Sequence, residues 1–231
     1  MNAPVTSSAL STKAFQARSI SLASRYGGRT VLAIGAHPDD LELAVGGTLA
    51  RLVRESARVV MAVVSIPAEF ETRRAEARKA AAILGCELRI LVESACCRID
   101  DMKSYQLVGM LDALVRELQP AAVFTHSANE FHRDHIAVHN ACISTQRLKP
   151  FDFFHFSPTM TRAVPVPFHP RAYIDVTATI EQKMQAIEAH LSQFGGRGLD
   201  SEMYRDLARL NGRMVGVKYA EGLDVGRMLL A

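Results

Sequence analysis

The sequence contains no tryptophan, and only 6% of its 231 residues are aromatic. Cysteines are also few, and they lack the spacing of a zinc knuckle or of a thiol redox motif. They are Cys86, Cys96, Cys97 and Cys142. Because the adjacent Cys96 and Cys97 do not readily bridge each other, the pattern indicates reduced, mostly buried thiols in a cytoplasmic protein.

No run of basic residues is longer than two, and the formal net charge is only +3. Such a weak positive charge does not favour binding to nucleic acid or to a membrane surface. No apolar stretch is long enough to cross a bilayer, so we expect no membrane span. The composition, 48% hydrophobic and 22% charged, is ordinary for a globular protein with a sizeable core.

No acidic residue precedes Asp39, and residues 1–28 are rich in serine and alanine and carry only positive charge. This composition overlaps with that of organellar transit peptides, and composition alone does not separate targeting from disorder. We predict a disordered N-terminal tail over residues 1–28, followed by a single domain over residues 29–231.

Short apolar runs alternate with helical patterns in the first half of the predicted domain. Predicted strands cover residues 30–34, 58–66, 88–92 and 121–125, and predicted helices cover residues 46–55, 71–84 and 104–118. This alternation is typical of parallel strands joined by right-handed crossovers. It predicts an α/β fold, a Rossmann-like three-layer sandwich with a mainly parallel sheet and an active site at the carboxyl ends of the strands.

Beyond about residue 150 the pattern is less regular. We predict strands over residues 151–156 and 173–176, helices over residues 177–191 and 201–210, and a long surface loop over residues 157–170. This proline-containing loop is expected to lie near the active site.

Two polar clusters follow predicted strands. The first, AHPDD, places His37, Asp39 and Asp40 directly after the first strand. The second, HSANEFHRDHIAVH over residues 126–139, follows the fourth strand and holds half of the eight histidines. Because parallel strands end at the same edge of a sheet, we expect the two clusters to meet there.

Histidine nitrogens and aspartate oxygens together suit zinc better than magnesium. Three such ligands with an open position for water describe a catalytic zinc site. In an adjacent aspartate pair, one carboxylate can bind the metal while the other acts as general base, and the ion relieves their mutual repulsion. An aspartate here could instead cap a helix, but a cap explains neither the second carboxylate nor the histidine.

The motif AHPDDLE resembles the AHPDDxE signature of the LmbE/PIG-L family of zinc-dependent de-N-acetylases, and HRDH (residues 132–135) resembles the HxDH motif of that family. The likeness extends through RRAEARKAAAILGC, IDVTATIEQKMQAIEAHLSQ and VKYAEG, and covers roughly residues 30–226. Members of this family remove N-acetyl groups from N-acetylglucosamine-containing glycans, glycolipids and small glycosides.

The resemblance implies these roles: His37, Asp40 and His135 as zinc ligands, Asp39 as general base, His132 as oxyanion stabiliser, Asp134 as a group that orients the imidazoles, and Arg73 as a substrate contact. Relatives often carry an aspartate where this chain has Glu130, which stays unassigned. His190 either lines or supports the site, and Asp100 or Asp101 either binds a sugar hydroxyl or is solvated. We expect the remaining histidines to be packing or surface residues: His126, His139, His155 and His169.

We therefore expect a zinc-dependent hydrolase that releases acetate from an N-acetylated amino sugar. Another divalent transition metal could take the place of zinc. One alternative is a metal-dependent phosphoesterase or nuclease, which would use two metals, and another is a different amidase at the same sheet edge. A nucleotide-binding oxidoreductase is disfavoured because no GxGxxG follows the first strand. A sugar-binding protein without activity is disfavoured by the intact ligands and base. The sequence does not identify the aglycone of the substrate. It does not decide the oligomeric state either, and a homo-oligomer is one of the options.

Overall fold

The structure, a computed structural model, describes residues 21–94, 97–158, 168–195 and 200–229. Seven strands in these ranges form one sheet. They are β1 (Thr30–Gly35), β2 (Arg58–Val63), β3 (Glu87–Ile90), β4 (Ala122–His126), β5 (Asp152–Phe156), β6 (Ala172–Asp175) and β7 (Ala220–Arg227). The apolar, β-branched residues of β1 and β2 are buried on both faces, as in the centre of a parallel sheet.

The strands lie in the order β3-β2-β1-β4-β5-β7-β6. Strands β1 to β5 run parallel, and β7 is antiparallel to both β5 and β6. The α/β fold class with a mainly parallel sheet is thus confirmed. The sequence does not predict β7, because its two glycines and two acidic residues hide the strand pattern, and its pairing with β5 and β6 supplies what local propensity lacks.

The helices in the described ranges cover both faces of the sheet. They are α1 (Leu22–Tyr26), α2 (Asp40–Arg54), α3 (Phe70–Leu84), α4 (Ser104–Leu118), α5 (Arg133–Thr145), α6 (Ile180–Glu188), α7 (Leu191–Phe194) and α8 (Glu202–Val215). Leu49 of α2 and Leu84 of α3 belong to one buried cluster. Leu111 of α4 and Val138 of α5 belong to a second cluster, which gives the three-layer sandwich.

Helix α1 precedes the first strand and belongs to the domain. Tyr26 is 1% exposed, and its hydroxyl donates a hydrogen bond to Asp152 Oδ2 at 2.8 Å. Arg25 Nε forms an ion pair with the same oxygen at 2.6 Å. Residues 21–28 are therefore part of the fold, although the sequence places the domain start at residue 29. The rest of the predicted tail, residues 1–20, lies outside the described residues.

Helix α2 begins at Asp40 rather than at residue 46. The earlier start places Leu41 and Val45 on the same buried face as Leu49, so the helix packs along its whole length. Helix α3 ends where predicted, because Gly85 adopts the left-handed conformation (φ 75°) that closes a helix.

The later elements differ more from the sequence-based prediction. The sequence does not predict α5, and the helix predicted over residues 177–191 is divided into α6 and α7. Helix α8 extends to Val215 rather than to residue 210. Most of the predicted surface loop, residues 159–167, lies outside the described part of the chain. In the part that is described, no helix is both long and apolar enough to cross a bilayer.

Candidate active site

The two polar motifs meet at one edge of the sheet. Strands β1 and β4 are parallel neighbours, so the residues after β1 and those after β4 emerge side by side. His37 and Asp39 lie between β1 and α2, and Asp40 is the first residue of α2. His132 caps the amino end of α5, and His135 lies in the first turn of that helix.

His37, Asp40 and His135 form a group whose ligand atoms all lie within 4.8 Å of one another. Asp40 Oδ1 lies 3.2 Å from His135 Nε2, and Asp40 Oδ2 lies 4.0 Å from His37 Nδ1. One carboxylate oxygen and two imidazole nitrogens are the donor types of a catalytic zinc site. The structure thus brings together the three residues predicted as ligands.

The far nitrogen of each imidazole in this group faces a second carboxylate. His37 Nε2 lies 2.9 Å from Asp134 Oδ2, and His135 Nδ1 lies 3.3 Å from Glu130 Oε2. Metal-binding histidines characteristically make this contact, because it fixes the tautomer and makes the other nitrogen a better donor. The residues present therefore fit a divalent transition metal. Glu130, which the sequence left unassigned, is the group that contacts His135.

Asp40 is held as a charged group by its neighbours. Its Oδ2 accepts a hydrogen bond from the His37 backbone N–H at 2.8 Å and lies 3.2 Å from His126 Nε2. Burial alone would raise the pKa of Asp40, but the facing His135 imidazole, whose own pKa is raised to about 10, outweighs it and holds the Asp40 pKa well below its usual range. Asp40 is thus an anionic ligand in advance of metal binding.

Asp39 has a strained backbone beside these ligands. Its φ of 93° and ψ of −32° are rare for a residue with a side chain, and such strain clusters at functional sites. Burial, together with the Asp40 charge, raises the pKa of the Asp39 carboxyl to about 7. A carboxylate with a pKa near neutrality can both accept and return a proton.

Arg73 of α3 is buried directly behind this turn. Its Nη2 donates a hydrogen bond to the Pro38 carbonyl at 2.9 Å and lies 3.5 Å from Asp39 Oδ2. Its Nε is buried without a hydrogen-bond partner in the described part of the chain. Arg73 thus stabilises the turn and lies close to the Asp39 carboxylate. Its contact with substrate stays a prediction.

His132 faces the ligands from the start of α5. Its Nδ1 accepts a hydrogen bond from the Asp134 backbone N–H at 3.3 Å, which leaves the proton of a neutral ring on Nε2. Partial burial and the neighbouring His135 lower the pKa of His132, so the ring stays neutral around neutral pH. A neutral imidazole with a protonated Nε2 can donate a hydrogen bond to a developing oxyanion.

Two further histidines support the site from behind. His126 is fully buried, accepts a hydrogen bond from the Ala36 N–H at 3.0 Å and contacts Asp40, so it is more than a packing residue. His190, also fully buried, lies with its Nε2 3.1 Å from Glu42 Oε1. The sequence signal for Glu42 was its place in the AHPDDLE motif, but only the fold shows its partner.

The other singled-out residues do not join the ligand groups. Asp100 and Asp101 are exposed on a short 3₁₀ helix, and His169 is exposed. His139 is buried with its Nδ1 2.7 Å from the His126 carbonyl, and its ring lies against His155. The packing or surface role predicted for these three histidines agrees with their positions.

Comparison with known proteins identifies the family. Residues 32–145 match the PIG-L family, described as GlcNAc-PI de-N-acetylase. The deacetylase YaiS of Escherichia coli K12, itself uncharacterised, is 33% identical over 130 residues, which cover 52% of this chain and 69% of YaiS. The chain belongs to the PIG-L family.

Solved structures share the fold of this PIG-L family member. The conserved protein TT1542 of Thermus thermophilus has a TM-score of 0.72 at 26% identity, over 88% of this chain and 97% of TT1542. GalB of Pseudomonas putida KT2440, a 4-carboxy-2-hydroxymuconate hydratase, has a TM-score of 0.74 at 20% identity, over 88% and 98%. The N,N′-diacetylchitobiose deacetylase of Pyrococcus horikoshii has a TM-score of 0.68 at 22% identity, over 85% and 83%.

The part of the chain that matches the PIG-L family runs from β1 to the end of α5. It therefore contains every residue of the group His37, Asp40 and His135, together with both supporting carboxylates, Asp134 and Glu130. Elements of this family member that follow the matched range also contact the site. One example is His190, which contacts Glu42 of α2.

Proposed function

We propose that this protein is a zinc-dependent hydrolase that removes the acetyl group from an N-acetylated amino sugar, as a glycoside or conjugate of the N-acetylglucosamine type. The observation that carries the proposal is the convergence of His37, Asp40 and His135, with the Asp39 carboxylate beside them. Family membership supports amide hydrolysis, and the diacetylchitobiose deacetylase supports a sugar substrate.

Zinc is the metal that this donor set favours, since neutral imidazoles and a single carboxylate suit it better than magnesium. His37, Asp40 and His135 would hold the ion, and Asp134 and Glu130 would orient the two imidazoles. When bound, zinc lowers the pKa of a water molecule to about 7 and polarises the acyl carbonyl of the substrate.

Asp39 acts as the general base in this proposal. Its carboxylate takes the proton of the attacking water, and the buried Arg73 guanidinium 3.5 Å away holds the carboxylate in place. The strained turn places Asp39 directly before the first residue of α2, beside Asp40. The adjacent aspartates thus divide the work, one binding the metal and the other moving the proton.

His132 stabilises the oxygen of the tetrahedral intermediate. Its Nδ1 accepts from the Asp134 N–H at the start of α5, which leaves Nε2–H as the donor. Removal of one such donor costs roughly 3 to 4 kcal/mol of transition-state stabilisation in other hydrolases. Departure of the amine requires a proton, and either Asp39 or His132 can supply it. Asp134 keeps His37 oriented throughout.

The experiment is an acetate-release assay on the zinc-loaded protein. The panel contains N-acetylglucosamine, N,N′-diacetylchitobiose and an aryl N-acetylglucosaminide, with p-nitrophenyl phosphate to detect a phosphoesterase. Acetate and a free amine should form in equal amounts from at least one sugar, and phosphate should not be released. Release of phosphate without acetate would replace the proposal with the phosphoesterase.

The fold alone does not decide the reaction, since GalB shares it and is a hydratase. The assay therefore includes an unsaturated dicarboxylic acid as a hydration substrate. Loss of its ultraviolet absorbance, with no acetate from any sugar, would contradict the proposed deacetylation.

A further inference from the structure

We infer that a cavity between α4 and α5 is a second binding site, which takes a neutral, hydroxyl-rich ligand, namely a sugar unit. The inference goes beyond the proposed deacetylation and does not depend on it. The cavity has a volume of about 690 Å³ and is lined by α4, α5 and the short 3₁₀ helix Ile99–Asp101. Binding sites for small molecules typically have volumes of about 300 to 1,000 Å³ and combine apolar surface with a few polar groups.

The cavity lies on a different face of α5 from the candidate active site. Ala137, Ala141 and Ser144 of α5 line the cavity, whereas His135 of the same helix contacts Asp40. Because an α-helix has about 3.6 residues per turn, Ala137 and Ser144 lie roughly opposite His135 around the helix axis. A ligand in the cavity is therefore separated from the predicted metal ligands by the body of α5.

A buried carboxylate of α4 lines the cavity with one of its oxygens unpaired. Asp112 is only 5% exposed, and its Oδ2 accepts a hydrogen bond from Arg147. Its Oδ1 is buried and has no hydrogen-bond partner among the residues that the structure describes. A buried acceptor without a partner is costly, and a ligand hydroxyl that donates to Oδ1 removes that cost.

The charges around this carboxylate favour a neutral ligand. Arg147 pairs with Asp112, and Arg116 Nη2 lies 3.8 Å from the same Oδ2. Asp100 also lines the cavity, so two carboxylates are balanced by two guanidinium groups. A cation or an anion therefore gains little net attraction at this site, whereas a hydroxyl group can still donate a hydrogen bond to Asp112.

The rest of the lining suits the two kinds of surface on a sugar ring. The side chains of Asn140 and Ser144 can each donate and accept hydrogen bonds, as sugar hydroxyl groups require. Tyr105 of α4 also lines the cavity and is 67% exposed. Its aromatic ring offers an apolar face to the C–H groups of a pyranose ring.

Gly109 is a further sign of an occupant. It lies in the interior of α4 and lines the cavity, and a Cβ at this position would meet no atom of the described residues within 4 Å. Glycine in a helix interior is destabilising relative to alanine, so the packing of the described chain does not explain it. A ligand that approaches the backbone of α4 closely does.

The test is an NMR titration of the zinc-loaded protein with ¹³C-labelled alanine methyl groups, of which Ala137 and Ala141 line the cavity. The probes are cellobiose, maltose and trehalose, which contain no amide and are therefore not substrates of the proposed reaction. At least one of them should shift both methyl signals with one dissociation constant. Spermidine, as a cation, and inorganic phosphate, as an anion, should bind more weakly than that sugar.

Two substitutions locate the binding in the cavity. Gly109→Leu places a side chain in open space, so the fold should tolerate it and the shifts should be lost. The control Ala113→Leu adds a large side chain to an exposed position of α4 outside the lining and should bind as the natural protein does. Asp112→Asn removes the charged acceptor, so the dissociation constant should rise about tenfold.

Three results would overturn the inference. They are the absence of shifts with all three sugars, unchanged affinity in Gly109→Leu, and tighter binding of spermidine or phosphate than of any sugar. The titration does not depend on catalysis. If no substrate releases acetate, the proposed function fails, while the methyl shifts still decide whether the cavity binds a sugar.

Discussion

Two buried groups of charged residues share helix α2, and they differ in how completely their partners satisfy them. Midway along the helix, Glu221 accepts hydrogen bonds from the Gly47 and Thr48 N–H groups at 2.9 and 2.6 Å. Lys183 Nζ lies 2.5 Å from Glu221 Oε1 and also donates to the Leu43 carbonyl at 2.8 Å. In this cluster the charges and the hydrogen-bonding groups are balanced.

At the amino end of α2 the balance is absent. Asp39 and Asp40 lie next to each other, further carboxylates face the histidines, and Asp39 has a strained backbone. Burying this much negative charge is costly unless a cation joins it. A buried cluster whose charges are paired, such as Lys183 with Glu221, indicates a structural role. A buried cluster with an excess of carboxylates indicates a site for a cation.

The largest expected effect follows from removing the base at the unbalanced end. Asp39→Asn keeps the shape of the side chain but cannot accept the proton, so kcat should fall by about 10² to 10⁴. Bound zinc, measured by metal analysis, should stay at the natural level. The matched variant Asp40→Asn removes a ligand and should lose both zinc and activity. Full activity in Asp39→Asn would show that the two aspartates do not divide the work.

Substitutions in the cluster of Lys183 and Glu221 should change the stability of the protein rather than its activity. Lys183→Met leaves the Glu221 carboxylate buried without its counter-ion, so the free energy of unfolding should fall by about 3 to 5 kcal/mol. Urea denaturation of the zinc-free protein measures this change. The exposed pair between Arg58 and Glu87 provides the control, because Arg58→Met should cost less than about 1 kcal/mol.

The carboxylate behind a ligand should have an intermediate effect. Glu130→Gln weakens the support of His135 without removing a ligand, so zinc affinity should fall about 10- to 100-fold. Competition with a chromogenic chelator measures the affinity. Unchanged affinity would mean that the 3.3 Å contact between Glu130 and His135 contributes nothing to metal binding.

A smaller effect concerns His155 of β5, which is partly buried and is not one of the predicted metal ligands. Burial, with a smaller contribution from His139, lowers the pKa of His155 to about 4, so the folded protein holds the ring neutral. In the unfolded chain the same ring binds a proton near pH 6.5. The contribution of His155 to the free energy of unfolding is therefore fully present above pH 6.5 and is lost as the pH falls toward 4. Between about pH 6.5 and 5.5, protonation linked to His155 should lower the free energy of unfolding by about 1 kcal/mol. In His155→Gln this part of the pH dependence of stability should be absent. An identical pH dependence in the variant would exclude this residue as the cause.

The sequence predicts the centre of the fold better than its edges. Strands β1, β2 and β4 consist of apolar, β-branched runs, and Gly85 marks the end of α3, so their positions follow from local pattern. Helix α5 escapes prediction because the polar and charged residues at its start, 132–135, obscure its apolar face. Strand β7 forms through pairing with its neighbours rather than through its own residues.

The candidate site shows the same division. The meeting of His37 and Asp40 with His135 could be predicted, since it follows from parallel strands that end at one edge. The contacts of Glu130 with His135 and of His126 with Asp40 could not be predicted, because they depend on side-chain directions after the chain has folded. The strain at Asp39 likewise appears only in the backbone angles.

The most direct test of the central claim is a zinc titration of chelator-treated protein, with acetate release from an N-acetylated amino sugar as the readout. The account predicts no release without metal and a rise in proportion to added zinc up to one ion per chain. Release that is unaffected by chelation, or restored by zinc in Asp40→Asn as fully as in the natural protein, would contradict a reaction centred on His37, Asp40 and His135.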